Sequence, residues 1–210
     1  MSSSIGIDEN FQTHLLINPV YKNIVQGINL KVLGRGIQLE HTRYDTVCDE
    51  IYRLVINDKL CEINKHEIEI EDAHKSFKIA HLLLYFCNNS IRNINGFALL
   101  TTRPQSIYVN LICAKNGFGK LLIDAISCIC VNISKPTIEL DSVESAVEFY
   151  KSVGFTLING AGWQMIKRLV DDKGKYCDYL TSRRLRRWGG GQTHIQNTTA
   201  QNKKTTKDCA

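Results

Sequence analysis

The run Ala114-Lys115-Asn116-Gly117-Phe118-Gly119-Lys120 brings together what an anion needs: backbone that can come close, and positive charge beside it. Gly117 and Gly119 leave room for close approach, and Lys115 and Lys120 supply the charge. Before the run, Ile107 to Cys113 is apolar almost throughout and partly β-branched, the pattern of a strand covered on both faces. After it, Phe118, Leu121, Leu122, Ala125, Ile126 and Ile129 fall at helical spacing. A strand, a glycine loop and a helix start aim free amides at whatever anion sits there. The chemistry implied is a diphosphate cradle; the plain alternative is a glycine turn with no ligand. A Walker loop would need glycine at 114 and Ser or Thr at 121, and the chain has Ala114 and Leu121. A dinucleotide fingerprint would need a small third residue where Leu122 stands.

The elements that must position this loop can be read around it. Pro136 breaks the helix, and Thr137 to Leu140 is a short strand. Asp141-Ser142-Val143-Glu144 resembles a capping box, with Asp141 as the N-cap. The helix it opens is expected to bury Val143, Ala146, Val147, Tyr150 and Val153, and Gly154 stops it. Strand, crossover helix and strand form one right-handed unit, so the two strands should be parallel. The glycine loop then lies at the carboxyl end of the first, where open α/β sheets place ligands.

Placed one strand after a glycine loop, Ala146-Val147-Glu148-Phe149-Tyr150-Lys151-Ser152-Val153-Gly154-Phe155 resembles the GNAT family of acetyl-coenzyme A-dependent N-acetyltransferases. The resemblance covers roughly residues 79 to 170. It implies an α/β fold with a mixed, mostly antiparallel sheet, a central splayed parallel strand pair and helices on both faces. The acyl-pantetheine of acetyl-CoA, the co-substrate, would lie in the splay. The loop Lys115, Asn116, Gly117, Phe118, Gly119, Lys120 would hold its diphosphate. Free backbone N–H groups around residues 111 to 113, those of Ile112 and Cys113 among them, would polarise the thioester carbonyl. Tyr150, in the setting Phe-Tyr-x-x-x-Gly-Phe, would protonate the leaving thiolate. For the base there are several candidates: Asp141 after the second strand, Asn110 as the holder of a water, Glu139 if its side chain points into the cleft, or a chain of waters. The chain departs from the family pattern at Ala114, where Arg or Gln is usual, at Val143, where Asn is usual, and in lacking a strand glutamate. The implied function is transfer of an acetyl group to a primary amine on a small molecule or protein. The alternative is a GNAT-like binding module with little or no turnover.

At 210 residues the chain suits one domain with a sizeable core. The net charge of +5 is unevenly placed: residues 1–170 hold 17 basic and 17 acidic side chains, residues 171–210 nine and four. Arg183, Arg184, Arg186 and Arg187 form a basic cluster that reads as a solvated terminus or as a contact for nucleic acid or an acidic partner. The eight cysteines include no Cys-x-x-Cys, and no His pair stands at zinc-ligand spacing, so no metal is expected. Apolar surroundings for several of them suggest buried thiols and a reducing compartment, cytoplasmic or nuclear. Cys113 reads as a packed strand thiol. The N-terminus lacks the basic and apolar regions of a secretory signal, and no apolar run reaches membrane-span length.

The expected organisation is an arm or short helix over 1–27, a GNAT-like domain over 28–170 and a basic tail over 171–210 whose composition favours disorder. Ile28 to Leu33 reads as the first strand. Thr42 to Asn57 is an amphipathic helix with Tyr44, Val47, Cys48, Ile51, Leu54 and Val55 on one stripe. Residues 58–78 are polar and acidic, a solvated element or a rim attracting a cationic amine. Ile79 to Cys87 and Ile94 to Thr102 pair as a hairpin and lead into the central strand. Phe155 to Ile158 and Trp163 to Val170 are the last strands, the second a half-exposed edge.

Overall fold

The computed structural model describes residues 11–22, 37–40, 43–57, 60, 69–88, 90–115, 117–158, 160 and 162–170. The proposed strand at 28–33, the cluster at 183–187 and Asn116 lie outside the described residues. Eight strands form one sheet in the order β2-β1-β3-β4-β5-β6-β8-β7. They are β1 Phe11–Ile17, β2 Ile37–Glu40, β3 Leu82–Asn88, β4 Ile94–Thr102, β5 Ser106–Ala114, β6 Thr137–Asp141, β7 Thr156–Leu157 and β8 Gln164–Arg168. Two pairs are parallel, β1 with β2 and β5 with β6; the rest are antiparallel.

Helices cover both faces, as expected. On one face α3 (Phe118–Asn132) and α4 (Val147–Ser152) pack on Leu84, Ala98, Leu100, Ile107, Val109, Ile138 and Leu140. On the other, α1 (Tyr44–Ile56) and α2 (Ile70–Ile79) pack on Leu83, Phe97, Leu99, Leu111 and Cys113. Five of the six stripe residues of α1 are buried, Leu54 being half-buried, because 3.6-residue spacing keeps them on one side of the helix.

Three local readings change. Phe11–Ile17, expected within an arm or short helix, is a strand between β2 and β3. Pro19 falls just after it, at the start of a 3₁₀ turn capped by the Asn18 side chain. Ile79, read as the start of a strand, ends α2. β8, expected as a half-exposed edge, is not one: it lies between β6 and β7, and Lys167 is only 3% exposed.

Candidate active site

The site is built on an irregularity in β5. Along β4 and β5 the partners run Thr101↔Tyr108 and Leu100↔Val109, then jump to Leu99↔Leu111, so Asn110 is an extra residue, a β-bulge. A one-residue insertion turns every later side chain over. Ile107 and Val109 therefore face α3, while Leu111 and Cys113, of the same parity, face α1 and α2. The parallel pairing with β6 covers Ser106↔Thr137 through Val109↔Leu140 and stops there. Beyond that rung β5 continues to Ala114 while β6 ends at Asp141, so the two strands part.

The hydrogen-bond alternation of β5 decides which backbone groups face the parting. Lys115 N–H donates to Asn95 C=O at 2.8 Å, which makes Cys113 and Leu111, two and four residues back, the residues that bond to β4. The N–H of Ile112 points the other way, into the gap. Of the three amides at 111 to 113, that of Ile112 faces the gap and those of Leu111 and Cys113 face β4. Cys113 is disulfide-bonded, with its partner outside the described residues, and is not the packed free thiol that the sequence suggested.

At the head of the gap Gly117 takes φ 79°, the left-handed conformation that starts α3, and no side chain caps that helix. No atom lies within 4 Å of where a Gly117 Cβ would stand. Phe118 N–H closes a turn onto Lys115 C=O at 3.0 Å and its ring is buried against Phe86, so Phe118 contributes shape and not a free donor. A Cβ at Gly119 would sit 3.0 Å from the Phe149 ring, so a larger residue there would push that exposed ring aside. Lys115 and Lys120 are exposed on either side, and neither forms an ion pair among the described residues.

Tyr150 stands in α4 on the α3 side, 8% exposed, with the rings of Phe149 and Phe155 at 5.2 and 5.5 Å. Burial pushes its phenol well above the usual range. Its hydroxyl makes no hydrogen bond among the described residues. The turn after it is tightly held: Val153 and Phe155 N–H both donate to Tyr150 C=O, Gly154 takes φ 92°, and buried Lys167 Nζ donates to Val153 C=O at 2.8 Å.

The fold is GNAT-like. No family model matches the sequence, and no curated protein matches it. Solved structures similar to it include an acetyltransferase of the GNAT family from Staphylococcus aureus Mu50, 17% identical, covering 62% of this chain and 95% of that one, with a TM-score of 0.47. Another is the catalytic domain of Tetrahymena GCN5 histone acetyltransferase in complex with coenzyme A, 13% identical over 76% and 93% of the chains, TM-score 0.45. A third is a GNAT acetyltransferase from Listeria monocytogenes 4b F2365, 15% identical over 60% and 86%, TM-score 0.38. These likenesses are modest, and the fold assignment rests on this chain's own strand order and splayed parallel pair.

The base candidates are placed differently from their sequence reading. Asp141 is not an N-cap: it ends β6, and its Oδ2 accepts from the Tyr108 hydroxyl at 2.7 Å. The helix it was expected to open begins instead with a 3₁₀ turn over Glu144–Ala146, without a side-chain cap. Asn110 is the bulge residue, and its Oδ1 accepts from Thr101 Oγ1 at 2.8 Å. Glu139 pairs with Arg103 at 2.6 Å, and the Arg103 guanidinium lies 4.0 Å from the centre of the Tyr108 ring. Sequence reasoning missed Tyr108 and Arg103; the parallel register Tyr108↔Glu139, which a sequence does not print, brings the cluster together. Of the acidic stretch before β3, Glu69, Glu71 and Asp72 are exposed at the start of α2, and Asp72 pairs with Lys75 at 3.0 Å. Among the described residues there is no group of three metal-ligating side chains, and no helix is long and apolar enough to cross a membrane.

Proposed function

We propose that the chain is an acetyl-CoA-dependent N-acetyltransferase acting on a primary amine by direct attack in a ternary complex. The observation that carries the reading is the parting of β5 from β6 beyond Val109 and Leu140, with the uncapped start of α3 at its head. The residues fit the co-substrate. An open cradle at Gly117, first-turn amides of α3 and the ammonium groups of Lys115 and Lys120 suit a diphosphate. The Ile112 N–H suits a thioester oxygen that gains charge as the amine attacks. Tyr150 suits the leaving sulfur: its phenol is buried, keeps its proton through neutral pH and has no described partner competing for it. The acceptor meets the thioester held in line between two strands, which replaces a bimolecular encounter with a positioned one.

Calorimetry of the full chain with acetyl-CoA tests the reading. Binding in the micromolar to millimolar range is expected, and a flat titration at millimolar coenzyme refutes it. Tyr150→Phe should then lower kcat by about 100-fold, the scale of a lost general acid, with the affinity for acetyl-CoA unchanged. An equal fall in affinity would make Tyr150 a packing residue instead.

A further inference from the structure

The alternation of β5 and β6 separates two faces at the parting. Ile138 and Leu140 of β6, and Ile107 and Val109 of β5, belong to the core under α3 and α4, the side that also holds Tyr150. Tyr108, Glu139 and Asp141 therefore stand on the opposite face. There α1 and α2 cover the strands from β1 to the far half of β5, and the face of β8 beyond is open: Gln164 and Arg168 are exposed and Ile166 half-buried. On this open face the charges are unequal partners. Glu139 is neutralised by Arg103, whose guanidinium also stacks on Tyr108. Asp141 is exposed, accepts only the Tyr108 hydroxyl and has no cation in ion-pair range among the described residues. It is also the first residue past the last paired rung, at the mouth of the gap.

Resting on the acetyltransferase reading, we infer that Asp141, oriented by the Tyr108 hydroxyl, attracts a primary-amine acceptor arriving on the face opposite Tyr150 and takes the proton that its nitrogen sheds as it is acylated. Asp141 attracts the ammonium to the mouth. The ammonium loses one proton to water, and the free amine attacks the thioester carbon as the carbon–nitrogen bond forms. Acylation acidifies the remaining N–H protons, and one passes to the free oxygen of Asp141. The carbon–sulfur bond breaks and the sulfur takes the Tyr150 proton. The products are the amide and coenzyme A thiol; Asp141 then releases its proton to water and the Tyr150 phenolate regains one from it. Tyr108 is a positioning residue in this scheme. Donating its O–H to Oδ2 fixes the carboxylate and leaves Oδ1 without a hydrogen bond among the described residues. Acid and base on opposite faces let coenzyme and acceptor enter without crossing.

The test follows coenzyme A thiol release by the full chain, with spermidine and a lysine-containing peptide as acceptors. Tyr108→Phe keeps the ring beneath Arg103 and removes only the hydroxyl. It should lower kcat about tenfold, with the KM for acetyl-CoA unchanged. Asp141→Asn should lower kcat about 100-fold, Asp141→Glu should recover part of that loss, and the double variant should be no slower than Asp141→Asn alone. A wild-type rate for Asp141→Asn, or losses that multiply in the double variant, overturns the inference. Should Tyr108→Phe fail to fold, the rate of Asp141→Asn alone decides. Turnover with neither amine by a chain that binds acetyl-CoA overturns this inference and leaves the coenzyme reading standing; absence of acetyl-CoA binding removes that reading as well.

Discussion

Lys167 is the residue whose surroundings depart furthest from its sequence pattern. Alternation over 163–170 is compatible with an edge strand that wets its lysine, because periodicity reports which residues share a face and not what covers it. With β7 on the outer side and α4 above, that face is closed, and the ammonium turns to the Val153 carbonyl, an orphan at the end of the Tyr150 helix. Replacing Lys167 with Met keeps the stem and removes the donor. We expect a loss of about 1–3 kcal/mol, the scale of a buried carbonyl left unpaired, measured as a lower urea midpoint. An unchanged midpoint would show that the carbonyl finds another donor. Asp141 teaches the same lesson from the other direction. Its four-residue setting is that of a capping box, and sequence reasoning places it at a helix start, whereas a hydroxyl from a strand 33 residues earlier claims its carboxylate.

At the scale of elements, legibility followed locality. The limits of β4 and α3 matched closely, since the Asn-rich turn and Pro104 bound the one, and glycines and helical spacing mark the other, within the sequence itself. The first two strands escaped, because β1 is defined by its pairing with β3 some seventy residues later and carries only seven residues of its own. The bulge in β5 was hidden for a different reason. Both cores are apolar, so a change of face at Asn110 leaves no trace in the hydrophobic pattern. It matters all the same: a regular strand would send Leu111 and Cys113 into the α3 side and Ile112 to the α1 side. Deleting Asn110 would not do this: Val109 and Leu111 would become consecutive residues on opposite faces, still opposite Leu100 and Leu99 of β4, so both cores would keep their side chains and only the local bend of β5 would be lost. The expected outcome is a chain that still melts cooperatively. Asn110→Ala removes one hydrogen bond to Thr101 and should cost about 1 kcal/mol. A deletion variant without a cooperative transition would show that the bulge itself is needed to seat both cores.

The whole molecule is two cores divided by one sheet, and both cores hold groups that stay protonated for the same reason. Burial pushes up the Tyr44 phenol and moves the Cys48 thiol to about 12 on the α1 side. Burial likewise raises the Tyr150 phenol and the Cys130 thiol on the α3 side. At the open face Tyr108 rises to about 12, through burial first and then its hydrogen bond to Asp141. All five shifts have one sign. Above the ordinary values of 9.0 for the thiols and 10.0 for the phenols, the unfolded chain releases protons that the folded chain keeps. Stability then falls with rising pH, because the folded state binds the more protons. The contribution is fully present at neutral pH, begins to fade near pH 9 and continues to fade through the folded-state values. Urea midpoints should therefore show no loss from these five groups between pH 7 and about 8.5 and then drop steeply by about pH 11. Tyr108→Phe, at the half-exposed position, should soften that drop less than Tyr44→Phe at the buried one, since desolvation scales with the water excluded. A midpoint that holds level to pH 11 would mean that water reaches these phenols and thiols, which is incompatible with the burial of Tyr44, Cys48, Tyr150 and Cys130.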